Sequence, residues 1–218
     1  MPNYQLALII PCNNSILSME RAMYMGIAPI MIKGNWDLGF VLDNHVSKSV
    51  PIGENVYGHM EFETTRTELG ELLFQYKYRN RVDCLSAIME MIIPFIDSWK
   101  ELERVDIVIP VPPTKQRIYQ PATEIGRAIA SHLGVSFYDE VLENISTVQA
   151  KNASGAIANR GIRIVANEKA TKPHTILLVD DLYGTGDTLR ECVKVLREDS
   201  LLRNIYVLAM TKRKGRTR

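Results

Sequence analysis

Residues 176–188 read ILLVDDLYGTGDT, and the class of fold can be inferred from them. The first four residues are apolar without a break, which is typical of a strand that is buried on both faces of a sheet. Two acids follow, then a turn with glycine at 184 and 186, and then a segment that predicts a helix. A buried strand followed by a glycine-containing turn and a helix indicates an α/β protein with a mainly parallel sheet.

The turn has the chemistry of an anion site. Gly184 and Gly186 allow the backbone to approach a ligand without a Cβ in the way. Backbone N–H groups at the start of the next helix point into the turn, and the helix dipole favours an anion there. The hydroxyls of Thr185 and Thr188 add two donors. The turn therefore predicts a phosphate site.

The two acids predict a different part of the same ligand. Asp180 and Asp181 would repel a phosphate, but they suit vicinal ribose hydroxyls or Mg²⁺ held through water. Together with the turn they favour a ribose 5-phosphate. A plain strand, turn and helix N-cap with exposed acids is the first alternative. The second is the D-x-G-x-G-x-G loop of S-adenosylmethionine methyltransferases, although Leu182 replaces its first glycine and that loop normally opens its domain.

Apolar periodicity predicts the other elements. Strands are expected at residues 105–111, 162–166 and 205–210, and helices at 69–76, 83–99, 121–133 and 188–197. Thr65 and Glu68 have the spacing of a capping box before the first helix.

Residues 1–64 are an N-terminal extension of uncertain structure. Its candidate elements are strands at 6–11 and 39–46, a helix at 19–25, and turns at 51–53 and 57–59.

Composition narrows the class of protein. Hydrophobic residues make up 46% of the 218 residues, charged residues 23%, and the net charge is +1. The balanced charge argues against nucleic acid as a partner, and no apolar run is long enough for a membrane span. Cys12, Cys84 and Cys192 are dispersed, which argues against a disulfide framework or structural zinc and favours a reducing cytoplasm.

The segment LLVDDLYGTGDTL resembles the signature with which type I phosphoribosyltransferases bind phosphoribosyl pyrophosphate (PRPP). The resemblance implies a type I phosphoribosyltransferase-like fold, in which Asp180 and Asp181 contact the ribose hydroxyls, serve catalysis and bind Mg²⁺. Asp187 adds a negative charge to the loop, so its side chain is expected to face away as a first-turn helix residue. The 5-phosphate would be bound by the residues of the loop, Tyr183, Gly184, Thr185, Gly186, Asp187 and Thr188.

A second turn follows the strand at 105–111, and in this fold class the first strand-to-helix turn holds pyrophosphate. Hydroxyl and cationic groups there suit a polyanion, whereas the alternative is an ordinary solvated loop. The candidate ligands are Pro113, Thr114, Lys115 and Arg117.

Residues 65–210 as a block resemble the ComF-like branch of this family, without its N-terminal zinc module. The resemblance is carried by the run at 68–73, by Lys77 and Tyr78, by the IPVP run at 109–112, and by the segment at 146–152. Lys77 and Tyr78 are otherwise interpreted as a helix end, and the basic run at 212–218 as a solvated terminus.

The expected function is that of a Mg²⁺-dependent phosphoribosyltransferase, a glycosyltransferase of nucleotide metabolism that releases pyrophosphate from PRPP. The alternative is a non-catalytic regulator that binds PRPP or a nucleoside monophosphate, or a DNA-uptake accessory protein. The acceptor base or amine is not identified by the sequence, and a homodimer is compatible with it. The expected division is an extension, 1–64, and a phosphoribosyltransferase-like domain, 65–218.

Overall fold

The computed structural model describes residues 26–115, 117–145 and 162–213. The strands of its main sheet are β1 (Ile30–Met31), β2 (Leu38–Asn44), β5 (Ile107–Pro110), β6 (Ser136–Phe137), β9 (His174–Tyr183) and β10 (Leu202–Lys212). They lie in the order β1-β2-β10-β9-β5-β6. Two small antiparallel pairs lie outside this sheet: β3 (Val46–Glu54) with β4 (Met60–Arg66), and β7 (Leu142–Asn144) with β8 (Ile164–Ala166).

The predicted mainly parallel sheet is confirmed. β9 pairs in parallel with β10 on one side and with β5 on the other, and β2 pairs in parallel with β10. β1 is antiparallel to β2 at the edge. The helices are α1 (Glu68–Arg79), α2 (Cys84–Ser98), α3 (Pro121–Leu133) and α4 (Asp187–Leu196), with a 3-10 turn at Lys100–Arg104.

Helices cover the two faces of the sheet. On one face, Leu177 and Val179 of β9 pack into a core with residues of α1, α2 and α3. On the other face, Ile176 and Leu178 pack into a second core with the apolar side of α4. Residues of the same strand enter both cores because successive side chains of a strand point to opposite faces.

The connections from β5 and β9 run in opposite directions along the sheet. α3 leads from β5 to β6 at one edge, whereas α4 leads from β9 to β10 on the other side. The strand order therefore reverses between β5 and β9. In open α/β sheets, a crevice forms at such a reversal beyond the carboxyl ends of the strands, and ligands bind there.

Local signals explain the helix ends, with one correction. α3 begins at Pro121 and is followed by Gly134 in the left-handed conformation, as predicted. α1 does not use the predicted capping box, because Thr65 lies in β4. Thr67 caps it instead, and its hydroxyl accepts a hydrogen bond from the Gly70 N–H at 3.1 Å.

Part of the predicted extension belongs to the main sheet. β1 and β2 both lie before residue 64, and Val41 and Leu42 of β2 are fully buried. The division at residue 64 stays a prediction.

The two turns predicted in this region have different outcomes. The prediction of a turn at 51–53 is wrong, because Pro51 and Gly53 pair with β4 within β3, with an irregularity in the register between them. The connection between β3 and β4 does turn near 57–59, where the Gly58 N–H donates to the Asn55 carbonyl at 2.9 Å. The elements predicted at 6–11 and 19–25, and the segment at 146–152, lie outside the described residues.

Among the described residues, no helix combines the length and apolar character that crossing a membrane requires.

Candidate active site

A cleft opens between β5 and β9 because their pairing ends early. The last paired residues are Pro110 and Val179, and the Val111 N–H donates to the Val179 carbonyl at 2.8 Å. Pro112 and Pro113 then follow, and proline has no N–H with which to continue a ladder. β9 continues to Tyr183 beside β10, so this strand is longer than the predicted 176–179, and both acids lie within it.

The turn after β5 forms one wall of a cavity of about 230 Å³. Three of the four residues predicted to bind pyrophosphate line it, namely Pro113, Thr114 and Arg117. Lys115 is exposed and does not line it. The opposite wall is formed by Asp180 and Asp181. This cavity is called the turn cavity below.

The glycine-containing loop after β9 forms a second cavity of about 210 Å³, the loop cavity. Asp180, Leu182 and Thr188 line both cavities. The two predicted sites therefore adjoin each other around the end of β9. All six residues predicted to bind the 5-phosphate line the loop cavity: Tyr183, Gly184, Thr185, Gly186, Asp187 and Thr188.

The amino end of α4 has no side-chain cap. Gly186 occupies the capping position with φ of 84° and has no side chain that could accept a hydrogen bond from the helix. The first N–H groups of a helix have no partners within the helix, so those of α4 are available at the loop cavity. This arrangement is suited to an anion.

The charge of Asp187 is compensated by neighbouring groups of the loop and of α4. Its carboxylate accepts a hydrogen bond from the Thr185 hydroxyl at 2.6 Å and pairs with Arg190 at 3.1 Å. Arg190 also donates to the Thr185 carbonyl at 2.9 Å. Asp187 is a first-turn residue of α4, as expected, but it also lines the loop cavity, so the expectation that its side chain faces away from the ligand stays a prediction. The Thr185 hydroxyl, by contrast, is already used inside the loop.

The two acids point to opposite faces of β9. By the alternation of side chains along a strand, Asp180 lies on the same face as Ile176 and Leu178, which α4 covers. Asp181 lies on the face of Leu177 and Val179, which α1 helps to cover. The Asp181 carboxylate forms an ion pair with the ammonium of Lys77 at 2.5 Å. The Asp180 carboxylate accepts a hydrogen bond from the Asp181 N–H at 2.8 Å. The two acids therefore have different hydrogen-bond partners.

Two cations near the site were not among the predicted ligands. Lys77, interpreted as a helix end, lines the turn cavity. Arg213, placed in a solvated terminus, lines the loop cavity, and its N–H donates to the Tyr183 carbonyl at 2.8 Å. No local pattern marks either residue, because each reaches the site through the fold. Lys77 lies 104 positions from Asp181 along the chain.

Burial raises the pKa of the Asp180 carboxyl to about 7, and the neighbouring charge of Asp181 adds to the effect. Its hydrogen bond from the Asp181 N–H and the nearby Lys77 act in the opposite direction but are weaker. A carboxyl with this pKa is partly protonated near neutral pH. A cation bound beside it would favour the ionised form.

The described residues contain no group of three or more His, Cys, Asp or Glu side chains that could hold a metal ion. Asp180 and Asp181 alone provide two carboxylates. This set fits Mg²⁺ only in part, because the ion is usually held by one or two carboxylates together with waters and substrate phosphates. The residues present therefore fit a metal that arrives with a phosphorylated ligand.

A larger cavity, of about 680 Å³, lies elsewhere on the sheet. It is on the α4 face, between β8 and the carboxyl end of α4, and its floor includes Ile107, Ile109 and Ile176. None of the predicted site residues lines it. Size alone therefore does not locate the candidate site.

No family model and no curated protein matches this chain. Among solved structures it is similar to an adenine phosphoribosyltransferase from Trypanosoma brucei in complex with AMP, pyrophosphate and ribose-5-phosphate. The identity is 13%, 86% of each chain is covered, and the TM-score is 0.44. For an adenine phosphoribosyltransferase from Thermoanaerobacter pseudethanolicus the identity is 14%, with 76% of this chain and 94% of that chain covered and a TM-score of 0.40. At these values the likenesses carry no argument about what this chain does.

Proposed function

We propose that the cleft between β5 and β9 binds PRPP with Mg²⁺ and that the protein is a phosphoribosyltransferase. The observation that carries this proposal is the order of groups along the cleft. An uncapped helix end lies at the loop cavity, two carboxylates lie at the centre, and two cations, Lys77 and Arg117, line the turn cavity. A phosphate, a diol and a pyrophosphate follow one another in the same order in PRPP.

The chemistry follows from these positions. Breaking the bond between C1 of the ribose and the pyrophosphate builds positive charge on the ring and negative charge on the leaving group. The N–H groups of α4 would fix the 5-phosphate, and Arg117 would neutralise charge on the pyrophosphate. Mg²⁺, when bound with PRPP, would supply further neutralisation of the leaving group.

Turnover of PRPP tests the proposal. Purified protein is incubated with PRPP and Mg²⁺, and pyrophosphate release is followed across a panel of purine and pyrimidine bases and amines. Acceptor-dependent release is expected with at least one of them. Binding of PRPP without release under any condition would instead identify a binding module, and absence of binding would contradict the proposal altogether.

The acids provide a sharper binding test. The double variant Asp180→Asn, Asp181→Asn keeps the shape of the site and removes both carboxylates. Because a charge-assisted hydrogen bond contributes roughly 1.5–3 kcal/mol, calorimetry should show PRPP affinity reduced by at least ~100-fold. Inorganic phosphate, which would use the loop alone, should bind as it does to the wild type.

A further inference from the structure

The ion pair between Lys77 and Asp181 differs from the others in the described part of the chain. Both side chains are largely shielded from water, with exposed fractions of 15% and 16%. Every other pair there has at least one partner that is considerably more exposed, as in Arg66–Glu71, at 26% and 45%. Removing one member of a buried pair leaves an uncompensated charge, which is unfavourable.

The pair also lies inside the candidate site. Lys77 and Asp181 both line the turn cavity, together with Thr114 and Arg117. The ammonium of Lys77 is therefore paired with the carboxylate that the proposed function assigns to ribose hydroxyls and Mg²⁺. One cation in this position excludes another by charge repulsion.

We infer that Lys77 is a place-holding cation, which neutralises Asp181 before PRPP binds and moves to the pyrophosphate when PRPP and a divalent cation bind together. The inference rests on the proposed function and gives Lys77 a defined part in it, as a substrate-binding residue that exchanges partners. A divalent cation alone binds poorly, because Lys77 already compensates Asp181. A polyphosphate offers Lys77 an alternative partner and releases the carboxylate.

The chemistry of lysine suits this exchange. Its charge is compact and lies at the end of a flexible stem, so it can change partners without a change in the backbone. α1 fixes the base of that stem, and Arg117, also at the cavity, marks where a second anionic group would be bound. Lys77 would therefore have two anionic partners within one cavity, Asp181 and the bound pyrophosphate.

Mn²⁺, used as a paramagnetic probe in place of Mg²⁺, tests the inference without requiring activity. Loss of the free-ion resonance signal measures Mn²⁺ binding to the protein alone. Lys77→Gln should bind Mn²⁺ about tenfold more tightly than the wild type, because Asp181 has lost its countercharge. Calorimetry in the presence of Mg²⁺ should show the same variant binding PRPP about tenfold more weakly. A purely structural role for Lys77 would not move the two affinities in opposite directions.

Lys194→Gln is the matched control. Lys194 also forms an ion pair, with Glu191 at 3.1 Å, but on the exposed surface of α4. Both affinities should equal those of the wild type. If Lys77→Gln behaves like this control in both measurements, the inference is overturned.

A background that lacks the Asp181 charge covers the case in which Lys77→Gln does not fold. Asp181→Asn and the double variant Lys77→Gln, Asp181→Asn contain no unpaired Asp181 charge. Adding Lys77→Gln to Asp181→Asn should weaken PRPP binding by a further factor of about ten. Equal affinities would overturn the inference and leave the proposed function standing, whereas a wild-type protein that does not bind PRPP would contradict the proposed function itself.

Discussion

A side chain on Gly186 would collide with Tyr183, since a Cβ built on this glycine lies 2.8 Å from the Tyr183 hydroxyl oxygen. Gly186 also has φ of 84°, a conformation that residues with a Cβ rarely adopt. Gly184, in the same loop, has no atom within 4 Å of a built Cβ. The two glycines therefore serve different purposes.

Gly186→Ala should destabilise the protein by about 1–3 kcal/mol, because it combines an unfavourable backbone conformation with a steric conflict. Urea unfolding measures the change. Gly184→Ala is the matched control and should change the free energy of unfolding by less than about 0.5 kcal/mol. Equal effects of the two substitutions would contradict this account.

Gly184→Val should interfere with phosphate binding without affecting stability. Gly184 lines the loop cavity, and a Cβ built on it meets no protein atom, so the added side chain would take up space that the ligand needs. We expect affinity for ribose 5-phosphate to fall at least ~10-fold in calorimetry, which corresponds to about 1.4 kcal/mol. Unchanged affinity would show that the phosphate is not bound in this cavity. Gly186→Val is a less informative variant, because it changes the backbone as well.

Arg213→Gln should weaken the binding of phosphate, because Arg213 lines the loop cavity and its charge favours an anion there. A loss of about tenfold in affinity for ribose 5-phosphate is expected from one charge-assisted hydrogen bond. Arg203→Gln, at the other end of β10, provides the control and should bind like the wild type. The interpretation fails if both variants bind equally well.

Asp180→Asn should alter how stability depends on pH. The pKa of this carboxyl is raised from 3.8 to about 7 in the folded protein, so the folded state binds its proton more tightly than the unfolded state does. Its contribution to stability is complete below the unfolded pKa and is lost as the pH rises towards 7. At pH 8 the variant should therefore be more stable than the wild type, by on the order of 2 kcal/mol after allowance for partial exposure. The difference should disappear below about pH 4.

Asp199→Asn provides a control of opposite sign. Hydrogen bonds from the Leu201 and Ala170 N–H groups hold the pKa of Asp199 below its ordinary value. Its contribution is present above the unfolded pKa and is lost as the pH falls. This variant should be less stable than the wild type at neutral pH, and chemical unfolding across a pH series measures both variants.

The sequence predicts those elements whose signals are local. The apolar run at 176–179 identifies β9, and Pro121 with Gly134 marks both ends of α3. The capping box points to Thr65, whereas Thr67 caps α1. The box pattern misses Thr67 because Gly70, three residues later, has no side chain with which to complete it. The six residues at 183–188 are contiguous in sequence, so a single turn is enough to predict that they lie around one cavity.

The remaining parts depend on tertiary structure. The predicted strand ends at residue 179, whereas β9 continues to Tyr183. Asp180 and Asp181 therefore lie within the strand and point to opposite faces of the sheet, which the shorter predicted strand does not indicate. The partner of Asp181 comes from α1, and no spacing rule connects Lys77 to it. The burial of Val41 and Leu42 depends on the pairing of β2 with β10, two segments that are distant in sequence.

The cleft exists because prolines end the pairing of β5 with β9. It is a gap in the hydrogen-bond ladder, opened by missing amide donors, and large side chains are not needed to hold the strands apart. The side chains along its walls therefore have no part in keeping it open. A wall residue outside the Lys77–Asp181 ion pair, such as Thr114, can therefore be varied to change what the cleft accepts while the sheet beneath keeps its shape.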